Sequence, residues 1–162
     1  RRRGTMQEFI KKYALRAGVV AGIVGAIVLI LSLIPLIGCI LGAFAWIVYV
    51  GAGVLASMWG KPEGALTTPQ QGAIDGAVAG AIAGVIAHLV KWIVDVGIAI
   101  VVGFVTSPAR DAVTALILSI VAGFIGVLFG TVVAALLGGV GGLVYNAIQQ
   151  QQNKPSSPTN PS

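Results

Sequence analysis

The sequence predicts an all-α integral membrane protein: four transmembrane helices arranged as two antiparallel hairpins with glycine-stripe packing. Three observations carry that prediction. Hydrophobic residues make up 57% of the 162-residue chain and charged residues 9%, against about one quarter charged in a soluble domain. The apolar runs are long enough to cross a hydrocarbon layer of about 30 Å, which takes about 20 helical residues. Glycines recur every four residues in the second half, which places them on one helical face. With a mean hydropathy of +0.97, a soluble chain could not cover its surface with polar groups. Lipid removes that requirement and forces the backbone to satisfy its own hydrogen bonds, so the runs are read as helices.

Residues 1–16 form a basic segment. Arg1, Arg2, Arg3, Lys11, Lys12 and Arg16 precede the first apolar run, and Glu8 is spaced to pair with Lys12 one turn on. The segment reads as a short helix at the membrane surface and an uncleaved anchor. Its charge predicts a cytoplasmic N-terminus and attraction to anionic lipid headgroups. Nucleic acid is not an expected partner, because no aromatic residues are interleaved for base stacking.

The first hairpin occupies 17–58. One span runs from about Ala17 to Ile34 and the next from about Ile37 to Met58, with a nearly uncharged turn around Ser32 to Gly38 that contains Pro35. Leu36-Ile37-Gly38-Cys39 resembles a lipoprotein processing site. The residues after Cys39 are another apolar span rather than a polar tether, so Cys39, the single cysteine, is read as a small core residue. Trp59 closes the span as an interfacial anchor.

A loop covers 59–68, and a second, long hairpin occupies 69–148. Thr68 caps the third helix, Pro69 takes its first position and Gln71 completes a capping box. Ser107, Pro108 and Asp111 form a similar entrance to the fourth. From Pro69 to Val105 is about 55 Å at 1.5 Å per residue, roughly 25 Å more than the hydrocarbon core. These helices must tilt, break or project. The Gln-, Pro- and Ser-rich tail, 149–162, reads as disordered in isolation.

Gly72, Gly76, Gly80 and Gly84 make one stripe, and Gly126, Gly130, Ala134, Gly138 and Gly142 make the other. A fold about Thr106 and Ser107 sets residue 76 near 137, 80 near 133 and 84 near 129, so the grooves face each other. Small-xxx-small grooves let backbones approach closely where lipid gives no hydrophobic exclusion. The first helix carries a related series, Gly18, Gly22 and Ala26, and its opening is similar to that of the third helix, as a duplicated two-helix unit would be.

His88, the only histidine, continues the first stripe one turn after Gly84. This Gly-xxx-His arrangement resembles the small-xxx-His pattern of chlorophyll-binding helices in light-harvesting proteins. The resemblance covers five residues and implies a flat macrocycle, bacteriochlorophyll or haem, over the Gly84 face of His88. Read from the residues alone, His88 is hydrogen-bonded within the bundle and no cofactor is expected. Lys91 and Asp95, one turn apart, read as a membrane ion pair, with Lys91 snorkelling and Trp92 as anchor; the sharper alternative is a proton or ion step. No catalytic set, phosphate loop, dinucleotide fingerprint or zinc spacing is present, so no enzyme is expected.

The role expected from these features is a structural or accessory subunit of a larger membrane complex. Packing motifs dominate, transport-type polar groups are few, and Val96–Val105 needs cover from another chain. The partners are the lipid bilayer and other membrane subunits, or further copies in a homo-oligomer. A small oligomeric channel or transporter is the first alternative, and a pigment- or haem-binding subunit using His88 the second. Four spans place both termini in the cytoplasm.

Overall fold

The computed structural model describes residues 3–60, 68–106 and 109–152. Among them are four α-helices and no strand: α1 (Arg3–Leu31), α2 (Pro35–Gly60), α3 (Pro69–Thr106) and α4 (Ala109–Gln152). Three contain segments long and apolar enough to cross a membrane: Lys12–Leu31, Pro69–Thr106 and Asp111–Gln152. In α2 the apolar segment among described residues is the shorter Phe44–Gly60. The described residues are all-helical and compatible with a multi-pass membrane location. The side chains of Glu8 and Cys39, the loop at 61–67, the Ser107–Pro108 cap and the tail from 153 lie outside the described residues.

The helix boundaries follow local chemistry. Pro35 opens α2, where its missing N–H is not needed. The intervening turn satisfies its own donors: the amides of Ser32, Leu33 and Ile34 donate to the carbonyls of Val28, Ile30 and Leu31 at 2.9–3.2 Å. The Ser32 hydroxyl donates to Leu29 O at 2.6 Å. An apolar turn closed in this way is tolerated in lipid. Gly38 packs so closely on the Ser32 carbonyl that a Cβ there would overlap it. Thr68 caps α3, with its hydroxyl accepting from the Gln71 amide at 3.3 Å. Its carbonyl accepts from the Gly72 amide at 3.2 Å.

Two boundaries differ from the sequence reading. The basic segment is not a separate surface helix, because α1 runs unbroken from Arg3 to Leu31. Between Thr5 and Ala17 there is neither Gly nor Pro to break it, and Lys, Leu, Arg and Ala all favour continuation. At the other end, Gln149–Gln152 belong to α4 rather than to the tail, since glutamine propagates a helix that is already nucleated. Both α3 and α4 are continuous, at 38 and 44 residues.

Helix α3 touches the other three helices, α2 does likewise, and among the described residues no contact joins α1 to α4. The interior where they meet is built from small residues. Ala17, Ala52, Ala79, Ala83, Ala87 and Ala134 are fully buried, and the largest side chain buried to this degree is Ser57. Two clusters organise it. Ala21, Tyr49, Ala52, Ala83 and Ala134 form one; Ala14, Ala17, Ala56 and Ala79 form the other. Large apolar side chains point outward instead, among them Trp46, Ile93, Val101 and Phe129. That inversion of a soluble core is the arrangement expected where association depends on close packing rather than on exclusion from water.

Backbones come together at several glycines. A Cβ on Gly80 would stand 3.0 Å from the Ala134 carbonyl carbon and 3.1 Å from Gly138 Cα. One on Gly76 would stand 3.0 Å from the Gly138 carbonyl carbon, and one on Gly72 would stand 2.7 Å from Gly142 O. Gly53 of α2 meets Gly138 and Gly142, and Gly141 of α4 meets the Val50 backbone. From α1, Gly18 abuts Ile82 and Gly22 abuts Ile86. The Gly18 and Gly22 pairings advance in step, so Leu31, the last residue of α1, lies level with about Asp95. Residues beyond Asp95 in α3 therefore run past the end of α1.

Candidate functional site

The polar residues of α3 gather on one face because His88, Lys91, Trp92 and Asp95 are spaced three and four apart. Opposite them α4 presents Ser119, Ala122, Gly123, Gly126 and Val127. Together these residues line a cleft of about 390 Å³. Small residues on α4 make the cleft possible: the Trp92 indole lies directly on Gly123, and the His88 ring lies directly on Gly130, leaving no space for a Cβ at either glycine. Phe124 meets the Trp92 ring edge-on, with centroids 6.5 Å apart.

Within the cleft, Lys91 Nζ donates to Asp95 Oδ2 at 2.5 Å, and each side chain is about one third exposed, at 33% and 37%. The one-turn spacing read from the sequence thus brings the two charges together. Among the described residues no other charged side chain lines the cleft, so each offsets the other. Ser119 donates its hydroxyl to Ala115 O at 2.9 Å and is committed to its own helix.

His88 is held from two sides. Its Nδ1 lies 2.8 Å from Gly84 O. A carbonyl only accepts, so Nδ1 is the donor in this contact. Tyr49 of α2 stacks on the ring at 5.9 Å with planes 16° apart. The Nε2 edge faces Gly130. The Gly84 face, which the light-harvesting resemblance would leave open for a macrocycle, is filled: a Cβ there would meet Ala134 Cβ at 2.7 Å and Thr131 Cα at 3.0 Å. A bacteriochlorophyll or haem ring does not fit at His88 and Gly84 unless α4 moves away. Among the described residues, no three His, Cys, Asp or Glu side chains converge as a metal site.

Two stripe positions also differ from their expected role. Gly126 meets no atom within 4 Å of a built Cβ and lines the cleft instead. Gly130 accommodates an imidazole rather than a backbone.

Sequence reasoning missed a second polar group. Asn146 is buried and donates from Nδ2 to Ser57 Oγ at 3.3 Å and to Gly142 O at 3.1 Å. The signal was present in the spacing. Asn146 extends the four-residue series through Ala134, Gly138 and Gly142, and Tyr49, Gly53 and Ser57 form a matching series on α2. Four more buried polar atoms, Tyr49 OH, Asp75 Oδ1, Trp92 Nε1 and Thr131 Oγ1, have no hydrogen-bond partner among the described residues. The interior is more polar than the expected one. No family model matches the chain, and comparison with curated proteins and with solved structures finds no match either.

Proposed function

We propose that the chain is a structural subunit of a larger membrane protein complex that acts by helix packing. In this reading it has four spans in two antiparallel hairpins, the glycine stripes join α3 to α4, and both termini are cytoplasmic. The observation that carries it is a mismatch within one bundle. The apolar segment of α1, Lys12–Leu31, is 20 residues, or about 30 Å, which matches the hydrocarbon core. Helices α3 and α4, at 38 and 44 residues, reach about 57 and 66 Å. Tilting cannot reconcile them, because a tilt that shortens α3 and α4 shortens the adjacent α1 as well. A bilayer fitted to α1 leaves the α3–α4 end beyond Asp95 outside the hydrocarbon. That end is apolar and exposed, with Val101 at 65%, Val105 at 80% and Leu118 at 64%. Apolar surface of this kind outside lipid marks a protein contact.

Photo-crosslinking from Val101, Val105 and Leu118 in native membranes tests the reading. A discrete adduct with another membrane subunit at all three positions is the expected result. Adducts to lipid alone, with the chain extracted in mild detergent as a lone monomer, would exclude it.

A second reading is favoured by one specific observation, the buried polar atoms without partners. Each such atom costs about 1–3 kcal/mol unless water or a solute satisfies it. A small oligomeric channel or transporter would meet that need by running a hydrated path near Tyr49, Thr131 and the cleft. Proton or cation flux in proteoliposomes, abolished by Asp95→Asn, distinguishes it from the packing role.

A further inference from the structure

A groove of about 600 Å³ lies between α1 and α2 at the end that carries the basic segment. Leu15, Val19, Val20 and Met58 give it an apolar lining, and Tyr13, Arg16 and Trp59 complete it. The groove opens outward, since Leu15, Val20, Met58 and Trp59 are all exposed. Arg16 is the cation of the lining, and among the described residues no carboxylate lines the groove. A second cation is close by: Lys12 Nζ lies 5.5 Å from the Tyr13 ring centroid.

We propose that this groove binds one anionic phospholipid, with its phosphate at Arg16 and Lys12 and an acyl chain along Leu15, Val19, Val20 and Met58. The inference goes beyond the packing role and does not depend on it. Three features of the groove select this ligand. A guanidinium presents a planar fork that matches phosphate oxygens. Tyr13 and Trp59 are the amphipathic aromatics that settle at headgroup depth. Arg16 stands one turn inside the segment that Lys12 opens, and its long side chain snorkels back toward the interface, so a phosphate bound there is level with the headgroups while the groove descends into hydrocarbon. From Tyr13 to Val20 is about 10 Å along the helix, which stays within one leaflet of a core about 30 Å thick. Basic residues placed at the membrane surface attract anionic lipids. Free phosphate shares the headgroup chemistry but has no use for the apolar lining, and the lipid is therefore the assigned source.

The test uses the full chain, purified in mild detergent and exposed to mixed phosphatidylglycerol and phosphatidylcholine, with retained lipid read by native mass spectrometry. Wild type is expected to keep one phosphatidylglycerol per chain in preference to phosphatidylcholine. Arg16→Gln should lower phosphatidylglycerol retention about tenfold, the loss expected for one charge-assisted phosphate contact. Val20→Trp leaves every charge in place, fills the groove and should lower retention of both lipids. Wild-type retention in either variant overturns the proposal, and the second variant serves if the first does not fold. Inorganic phosphate alone should not raise thermal stability; stabilisation equal to that given by phosphatidylglycerol would assign the site to free phosphate and overturn the lipid.

Discussion

Gly80→Ala and Gly126→Ala should change stability in opposite directions, although each glycine belongs to a four-residue series on its own helix. At Gly80 the added methyl meets backbone: the Ala134 carbonyl group, with its carbon at 3.0 Å, and Gly138 Cα at 3.1 Å. None of these atoms can rotate away, so α3 and α4 must separate there, and such overpacking costs about 1–3 kcal/mol. Alanine recovers roughly 0.5–1 kcal/mol of helix propensity over glycine. The net expectation is a loss of up to about 2.5 kcal/mol. At Gly126 a Cβ meets nothing within 4 Å, so only the propensity gain remains, about 0.5–1 kcal/mol stabilising. Gly84 refines the comparison, because its nearest obstruction is a side chain, Ala134 Cβ at 2.7 Å. Ala134→Gly should therefore partly relieve Gly84→Ala while leaving Gly80→Ala unrelieved. Reversible unfolding in mixed detergent micelles measures the four single and two double variants, and the paired changes form double-mutant cycles. Equal stability of Gly80→Ala and Gly126→Ala, or rescue of both packed variants by Ala134→Gly, would refute the close-approach reasoning.

Four further outcomes are expected. Asn146→Ala and Ser57→Ala should each cost about 0.5–1.5 kcal/mol in the same unfolding assay, and the double variant should cost less than their sum; strict additivity would show that the Asn146–Ser57 hydrogen bond contributes nothing. Lys91→Met alone and Asp95→Asn alone should each lower detergent stability more than the two together, because a single change strands a charge in the cleft; the reverse order would mean that the two charges are independent. Cysteine-accessibility labelling at Thr5, Thr67 and Ser156 should report one common side, the cytoplasm, and external labelling of any of them rejects the proposed topology. Purified protein should show no visible absorption band that depends on His88; a stoichiometric chromophore lost in both His88→Asn and Gly84→Leu would restore the pigment reading.

Much of this was legible in the residues because it depends on local chemistry. Pro35, and Thr68 with Pro69, mark helix starts through the donors they lack or accept. The pairing of Lys91 with Asp95 follows from helical spacing on a single element. The candidate site was legible only on its α3 side. That Gly123 and Gly130 receive Trp92 and His88 depends on how α4 is rotated, and rotation has no signature in one helix. Tyr49 could not be placed beside His88, since it approaches from α2. The filling of the Gly84 face was hidden for the same reason: Gly84 offers an open face on an isolated α3, and the presence of Ala134 there is a property of the pair.

The sequence by itself determined that this chain is helical, apolar and punctuated at particular residues. Hydropathy, capping and proline placement act within a few residues of chain, and lipid leaves the backbone no other economical way to satisfy its hydrogen bonds. Only the tertiary structure decided which small residues lie at the contacts. In a lipid-compatible bundle there is no hydrophobic exclusion to choose a face, so a glycine or alanine is equally suited to packing, to lining a cleft or to facing outward. The choice falls to helix rotation and register. These bury one set of alanines from all four helices, press Gly76 and Gly80 onto α4, leave Gly126 open, and seat Asn146 against Ser57 across a separation of 89 residues.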